Sequence, residues 1–394
     1  MKILWVKAGF LHPTRSGGQI RTLEMLKQLH RRHEIHFAAL DLPEPGIGVA
    51  RSSEYCTQAY PVPHGVPTPG GARYYSAVLR GFCCSRLPQA VLRYRSTALK
   101  RHVESLTRQC KFDSIVCDFL SAAANIPDLS SAVLFQHNVE SVLWERDAEH
   151  AGPPLHRFYL REQHERMLRY EKQVCQAMKR IVAVSENDAQ TIRSLYGAAH
   201  TYAVPTGVDL EYFAPPHSSA PSTDLVFVGS MDWRPNVDGI RWFWSEVLPL
   251  IRRRRPECSL AVVGRRPTAE IRRLAERDPR IHVTGTVDDV RPYLWQSAVS
   301  IVPLRVGGGT RLKIYESMAA RIPVVSTTIG AEGLDVHNGE NIAIADSPAA
   351  FAERCLHLLD NADARRAQCQ AAWEMVSACY SWEVAARKFE QLLT

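Results

Sequence analysis

The 394-residue chain has no apolar run approaching the roughly 20 residues that cross a bilayer, so no spanning helix is expected. None of its ten cysteines forms a CxxC pair. Cys83 and Cys84 are adjacent and the others are scattered through apolar segments. That is the pattern of free core thiols in a reducing cytoplasm, not of a metal site or a disulfide framework. No GxGxxG follows the first apolar segment, which disfavours a nicotinamide dehydrogenase. The opening MKILWVKAGF carries Lys7 inside its apolar stretch, with Arg15 and Arg21 behind it, and reads as a buried strand instead of an export signal.

Acidic residues are scarce in one region. From Ala72 to Lys111 stand Arg73, Arg80, Arg86, Arg93, Arg95, Lys100, Arg101, Arg108 and Lys111, against Glu104 alone. Tyrosine, leucine and valine are interleaved among them. This basic, apolar stretch is expected to rest on anionic lipid and present a polyprenyl-linked acceptor; an ordinary arginine-rich surface is the alternative. The whole chain carries a net charge of +7, and 45% of its residues are hydrophobic, as in a globular protein with two domains. The run Arg252–Arg255 closes a helical pattern, where cations complement the dipole, so it reads as solvated surface and no nucleic-acid partner is expected. His30, His33 and His36 are expected to be exposed.

What is present is alternation. Short Val/Ile/Leu runs without period-2 patterning (2–6, 35–39, 114–117, 132–136, 180–184, then 224–229, 259–263, 281–284, 299–303, 323–326, 342–345) read as strands buried on both faces. Helical patterns lie between them, including 19–29, 91–106, 155–177, 237–254, 268–277, 312–320 and 349–359. Such alternation argues for parallel sheets in α/β layers. The series breaks at APPHSSAPST, 214–223, which lacks periodicity and reads as a linker. The expected organisation is an N-terminal Rossmann-like domain over 1–205, a crossover over 206–223 and a C-terminal Rossmann-like domain over 224–379. The two sheets are expected to face each other across a cleft that receives the loops from their carboxyl ends.

Candidate chemistry clusters at those carboxyl ends. Gly17 and Gly18 precede a helix expected near Gln19; they form either a phosphate-cradling turn or a plain strand–helix turn. Gln136-His137-Asn138 leaves a buried strand. His137 is a candidate to bind sugar hydroxyls or phosphate or to relay a proton, with a structural cap as the alternative. Ser185 and Asp188 read as a capping pair. In the second half Gly229 ends a strand, and Arg234 behind it offers a planar fork suited to a diphosphate. The richest stretch is LRVGGGTRLKIYESMAA. Arg305 leads into Gly307, Gly308 and Gly309. Thr310, Arg311, Leu312 and Lys313 open a helix whose dipole disfavours cations unless an anion sits there. Glu316, one turn on, can accept two hydrogen bonds from a ribose diol.

With these residues the chain resembles a retaining GT-B glycosyltransferase of family 4, the group of many bacterial polysaccharide and exopolysaccharide sugar transferases. The stretches that carry the resemblance are SGGQIRTLEML, QHNVES, VPTGVDLEYF, VGSMDWRPNVDGIRWF, VTGTVDDVRPYL, PLRVGGGTRLKIYESMAARIPVVST and IGAEGL, in the family's order along nearly the whole chain. The resemblance implies a nucleotide-diphosphate sugar as donor, bound mainly by the second domain, and transfer with retention to a glycan or polyprenyl-linked acceptor in cell-surface polysaccharide synthesis. It implies no metal or other cofactor, and the chain has no DxD motif. It places Glu316 on the ribose as the second glutamate of an E-x7-E motif, whose first position is here Gly308. Loop amides around Gly308 are therefore expected to carry more of the donor recognition. It assigns Arg234, Arg311 and Lys313 to the diphosphate and His137 to the sugar. It further implies that the closing segment, 380–394, packs back on the first domain. The implied location is cytoplasmic, at the inner face of the membrane. Two other readings remain: a nucleotide-sugar epimerase of the same fold, and a nucleotide-sugar-binding protein with weak catalysis.

Overall fold

A computed structural model describes residues 1–14, 16–42, 47–67, 71–149, 153–216, 221–306 and 312–394. The chain divides into two compact units, Met1–Pro205 together with Ala385–Thr394, and Thr206–Val384. The expected α/β architecture of two Rossmann-like parallel sheets is what the chain adopts.

The first unit contains β1 (Lys2–Lys7), β2 (Glu34–Asp41), β3 (Gln58–Pro63), β4 (Ser114–Asp118), β5 (Ala132–Phe135), β6 (Arg180–Ala183) and β7 (Thr201–Ala203), in the order β3-β2-β1-β4-β5-β6-β7. Every pairing is parallel. The order reverses between β1 and β4, so their carboxyl ends splay apart and leave a crevice. The second unit repeats the plan with β8 (Thr223–Val228), β9 (Leu260–Val263), β10 (Ile281–Gly285), β11 (Ser297–Val302), β12 (Val324–Ser326) and β13 (Ala343–Ile344), ordered β10-β9-β8-β11-β12-β13. Its switch point lies between β8 and β11.

The core of the first unit takes an element from the far end of the chain. Phe389, on the helix Trp382–Glu390, is fully buried, with its ring 5.7 Å from Trp5 and 4.9 Å from Phe135. Glu390 holds Arg32 at 2.9 Å and His33 at 2.8 Å, and Arg180 donates to the Leu392 carbonyl at 2.8 Å.

Several local expectations need correction. The helical pattern 91–106 is two helices, Gln89–Leu92 and Thr97–Gln109. Buried Asn125 explains the break: it accepts from the Ser96 amide at 2.7 Å and donates to the Tyr94 carbonyl at 2.9 Å, satisfying groups a continuous helix would have paired. Ser96 then caps the second helix. The helix beside Gly17 and Gly18 begins at Gly17, because Ser16 and Gln19 form a capping box ahead of it. β3 has no strand signature in the sequence because Pro61 and Pro63 disguise it; as an edge strand it tolerates them. His36 is buried, stacked on Tyr60 and bonded to Glu34. The arginine run is not simply solvated. Arg252 binds the Cys258 carbonyl and Asp278, and Arg255 binds Asp224 and Asp360. Ser185 caps its helix as expected, accepting from the Asp188 amide at 3.1 Å. Among the described residues no helix is long and apolar enough to cross a membrane.

Candidate functional site

At the switch point of the first sheet, Asp118 ends β4 with no exposed surface. Its carboxylate accepts from Trp5 Nε1 at 2.8 Å, Thr22 Oγ1 at 2.7 Å and His137 Nε2 at 2.8 Å, and pairs with Lys7 Nζ at 2.8 Å. Burial raises its pKa, but the Lys7 charge and the bonds from His137 and Lys7 outweigh burial and hold it well below the usual carboxylate range. Lys7 is itself pushed down by burial, against the pull of Asp118. Arg21, buried behind this group, donates to the Gln136 and Val204 carbonyls at 2.8 Å each and covers the Phe135 ring.

His137 lies flat on Phe119, ring centroids 4.0 Å apart. Phe119 holds φ 70°, a left-handed conformation unusual for a side chain of its size. Burial pushes the imidazole down to about 3, in spite of Asp118, so the ring is neutral at pH 7. Its Nε2 proton goes to Asp118, which leaves Nδ1 as a lone-pair acceptor. That atom is buried without a partner among the described residues. It lies beside Gly18, where an added Cβ would stand 3.6 Å from Nδ1 and 2.6 Å from Phe119 Cζ. Such a nitrogen can accept from a hydroxyl; it cannot donate to a phosphate. Asn138 is half-buried and donates to Glu140 at 3.4 Å. Burial, aided by the Glu171 charge, pushes Glu140 up to about 7.

At the switch point of the second sheet, Gly229 follows β8 and Gly264 follows β9. A Cβ on Gly264 would fall 1.8 Å from the Gly229 carbonyl oxygen, so only glycine permits this approach. Lys313, on the helix Leu312–Ala319, reaches the bare Cα of Gly229, where a Cβ would stand 2.8 Å from its Nζ. Asn236 accepts from Lys313 Nζ at 2.9 Å, and Phe227 lies 4.4 Å beneath it. Asn236 is fixed in turn by donating to the Ser230 carbonyl at 2.8 Å. Glu316 is half-buried on the same helix, with its carboxyl raised by burial and lowered in part by Lys313. Leu312 is half-buried, whereas Ile314, Tyr315, Met318 and Ala319 form the inner face. Arg234 is exposed at the start of the helix Arg234–Trp242. Arg305 is exposed but not open: Asp238 grips its fork at 3.1 and 2.9 Å. Gly307, Gly308, Gly309, Thr310 and Arg311 lie outside the described residues.

Residues 15–212 match the family described as Glycosyltransferase Family 4, and residues 222–361 match Glycosyl transferases group 1. The chain belongs to glycosyltransferase family 4. This glycosyltransferase is similar to the sucrose-phosphate synthase of Thermosynechococcus elongatus (18% identity, TM-score 0.67, covering 100% of this chain and 98% of that one). It is also similar to Anabaena HepE in complex with UDP and glucose (14% identity, TM-score 0.64, covering 100% and 99%). At these identities the likeness concerns the GT-B fold. An uncharacterized 44.6 kDa protein in the cps region of Klebsiella pneumoniae is 25% identical over 145 residues. That match spans 35% of the glycosyltransferase and 37% of the relative.

Of the residues singled out in the sequence, Gly229, Lys313 and Glu316 gather at one switch point, and Gly18 and His137 at the other. Asn236 and Thr22 join the site without a local sequence signal that singles them out. Asp118 joins it too, as does Lys7, read in the sequence only as a charge within an apolar strand. Lys7 and Asp118 carry the same signal as His137, a polar residue at the carboxyl end of an apolar strand.

Proposed function

We propose that the protein transfers a sugar from a nucleoside diphosphate sugar to a glycan or lipid-linked acceptor, with retention of anomeric configuration. The observation that carries this reading is Lys313 held over bare Gly229 at the β8/β11 switch point, with Glu316 one turn along. Desolvated on one side by Phe227 and aimed by Asn236, the ammonium is preorganised for an anion that approaches the backbone closely. Glu316 suits the ribose diol, and exposed Arg234 lends further charge to the diphosphate. In the reaction the bond from the anomeric carbon to the diphosphate oxygen breaks. The acceptor oxygen bonds to the same face of that carbon, and its proton passes to the departing diphosphate. The protein contributes position and charge. His137 Nδ1 accepts from a sugar hydroxyl, the role its tautomer allows.

HepE, of the same fold, binds UDP and glucose, which supports the donor class. The cps-region relative supports a role in cell-surface polysaccharide synthesis, and the reaction is proposed to take place at the cytoplasmic face of the membrane. Contact with anionic lipid through 72–111 is part of the proposal. The helix Ala72–Cys84 exposes Tyr75 and Leu79, four residues apart on one face, beside Arg73 and Arg80.

Calorimetry against a panel of nucleotide sugars tests the donor site. One member is expected to bind, and Lys313→Ala and Glu316→Ala are each expected to weaken it at least roughly tenfold. Unchanged affinity in both variants would remove the assignment. Turnover of the bound donor without an acceptor product would instead favour the epimerase.

A further inference from the structure

A cavity of about 530 Å3 lies in the first unit among the helix Ala72–Cys84, the segment His64–Pro67 and the stretch Gln89–Arg95. Arg80, Arg93 and Arg95 line it, together with Tyr74, Ala77 and Leu92. No carboxylate lines it, and none of the three arginines is ion-paired among the described residues. An anion entering this space meets positive charge that no neighbouring carboxylate compensates.

The walls are fixed from behind by buried polar side chains of other elements. Arg166 donates to the Ser85 and Phe82 carbonyls at 2.7 and 2.8 Å, which pins the end of the first helix. Gln163 accepts from the Gln89 amide at 2.7 Å, which pins the start of the second. Asn125 holds the backbone on both sides of Arg95. His64, a half-buried residue of the lining itself, donates to the carbonyl of Arg93 at 3.0 Å. The two helices meet at Gly81, where a Cβ would stand 2.6 Å from both Leu92 Cδ2 and Gln89 Oε1. The arginines therefore stand on a backbone that does not need to reorganise on binding. Tyr75 and Leu79, 63% and 64% exposed, lie on the same helix and offer apolar surface beyond the cavity.

We propose that this cavity binds a phosphate-bearing amphiphile, with a phosphate or diphosphate on Arg80, Arg93 and Arg95 and the apolar chain against Tyr74, Ala77 and Leu92. Arginine forks match phosphate oxygens, and the volume suits a compact ligand. Its role as the acceptor site rests on the transferase reading above; binding itself depends on the first unit alone.

The test uses the full chain and three probes: farnesyl diphosphate, inorganic diphosphate, and vesicles of phosphatidylglycerol and phosphatidylcholine. Farnesyl diphosphate is expected to bind saturably, and the Arg93→Ala/Arg95→Ala double variant to bind it at least roughly tenfold more weakly. Inorganic diphosphate, which cannot use the apolar wall, is expected to bind roughly tenfold more weakly than farnesyl diphosphate. Lys313→Ala, in the other unit, is expected to leave farnesyl diphosphate affinity unchanged, so failure here and failure of the donor site are distinguishable. Both arginines are exposed, and an unchanged melting curve confirms that the double variant folds. The proposal falls if the double variant keeps the parent's affinity for farnesyl diphosphate, or if inorganic diphosphate binds equally well. It also falls if only vesicle binding is lost, because the arginines then serve the bilayer surface and not the cavity.

Discussion

His137 Nε2 donates to Asp118 Oδ1 at 2.8 Å, and both side chains are buried. The bond fixes which ring nitrogen carries the proton and turns the other, without a partner among the described residues, toward Gly18. Asp118 therefore sets the chemistry that His137 can offer.

This arrangement gives acid sensitivity a sign. In the folded chain His137 titrates at about 3, well below the usual value near 6.5, so between these values the unfolded chain binds more protons. Stability due to this group is present above pH 6.5 and is lost as pH falls toward 3, by about 2 kcal/mol at pH 5. Glu140, pushed up to about 7, works in the opposite direction between its ordinary value and 7. The contribution of His137 is thus read by difference. Urea unfolding of His137→Gln at pH 7 and pH 5 is expected to show a smaller loss than the parent, and an equal loss would contradict a neutral buried imidazole.

Asp118→Asn leaves Lys7 buried without its counter-ion and is expected to cost about 3–5 kcal/mol in urea unfolding. The double change Lys7→Met/Asp118→Asn removes both charges and is expected to recover a substantial part. No recovery would mean that the pair is not coupled.

Two glycine substitutions separate the switch points. Gly229→Ala puts a methyl group 2.8 Å from Lys313 Nζ and 2.7 Å from Asn236 Nδ2. It is expected to lower nucleotide-sugar affinity roughly tenfold, as seen by calorimetry. Gly18→Ala meets the Phe119 ring at 2.6 Å. It is expected to reduce turnover more than donor affinity, because it disturbs the surroundings of His137. A loss of affinity equal to that of Gly229→Ala would contradict this division.

Phe389→Ala is expected to destabilise the first unit by about 3–5 kcal/mol, since the ring fills space between Trp5 and Phe135. Differential scanning calorimetry with urea titration measures it. A cost below about 1 kcal/mol would show that residues 385–394 contribute little to that core.

Lipid contact has its own test. Leu79→Glu combined with Tyr75→Glu places two charges on an exposed face and is expected to abolish sedimentation with anionic vesicles at low salt. Persistence of binding would move the contact elsewhere.

By itself the sequence determined the class of fold, because strands buried on both faces must read as unbroken Val/Ile/Leu runs and the linking helices as amphipathic patterns. It also marked Gly229, Lys313, Glu316, Gly18 and His137, since glycines, cations at a helix start and polar residues leaving apolar strands break local rules. Tertiary structure decided what each of them can do. Asn236 aims Lys313 from 77 residues away, and Asp118 fixes the tautomer of His137 from 19 residues away. Asp238 occupies the fork of Arg305, and Asn125 divides one expected helix into two. All four act through side-chain pairings between elements brought together only by folding, and such pairings leave no periodicity or local propensity to read.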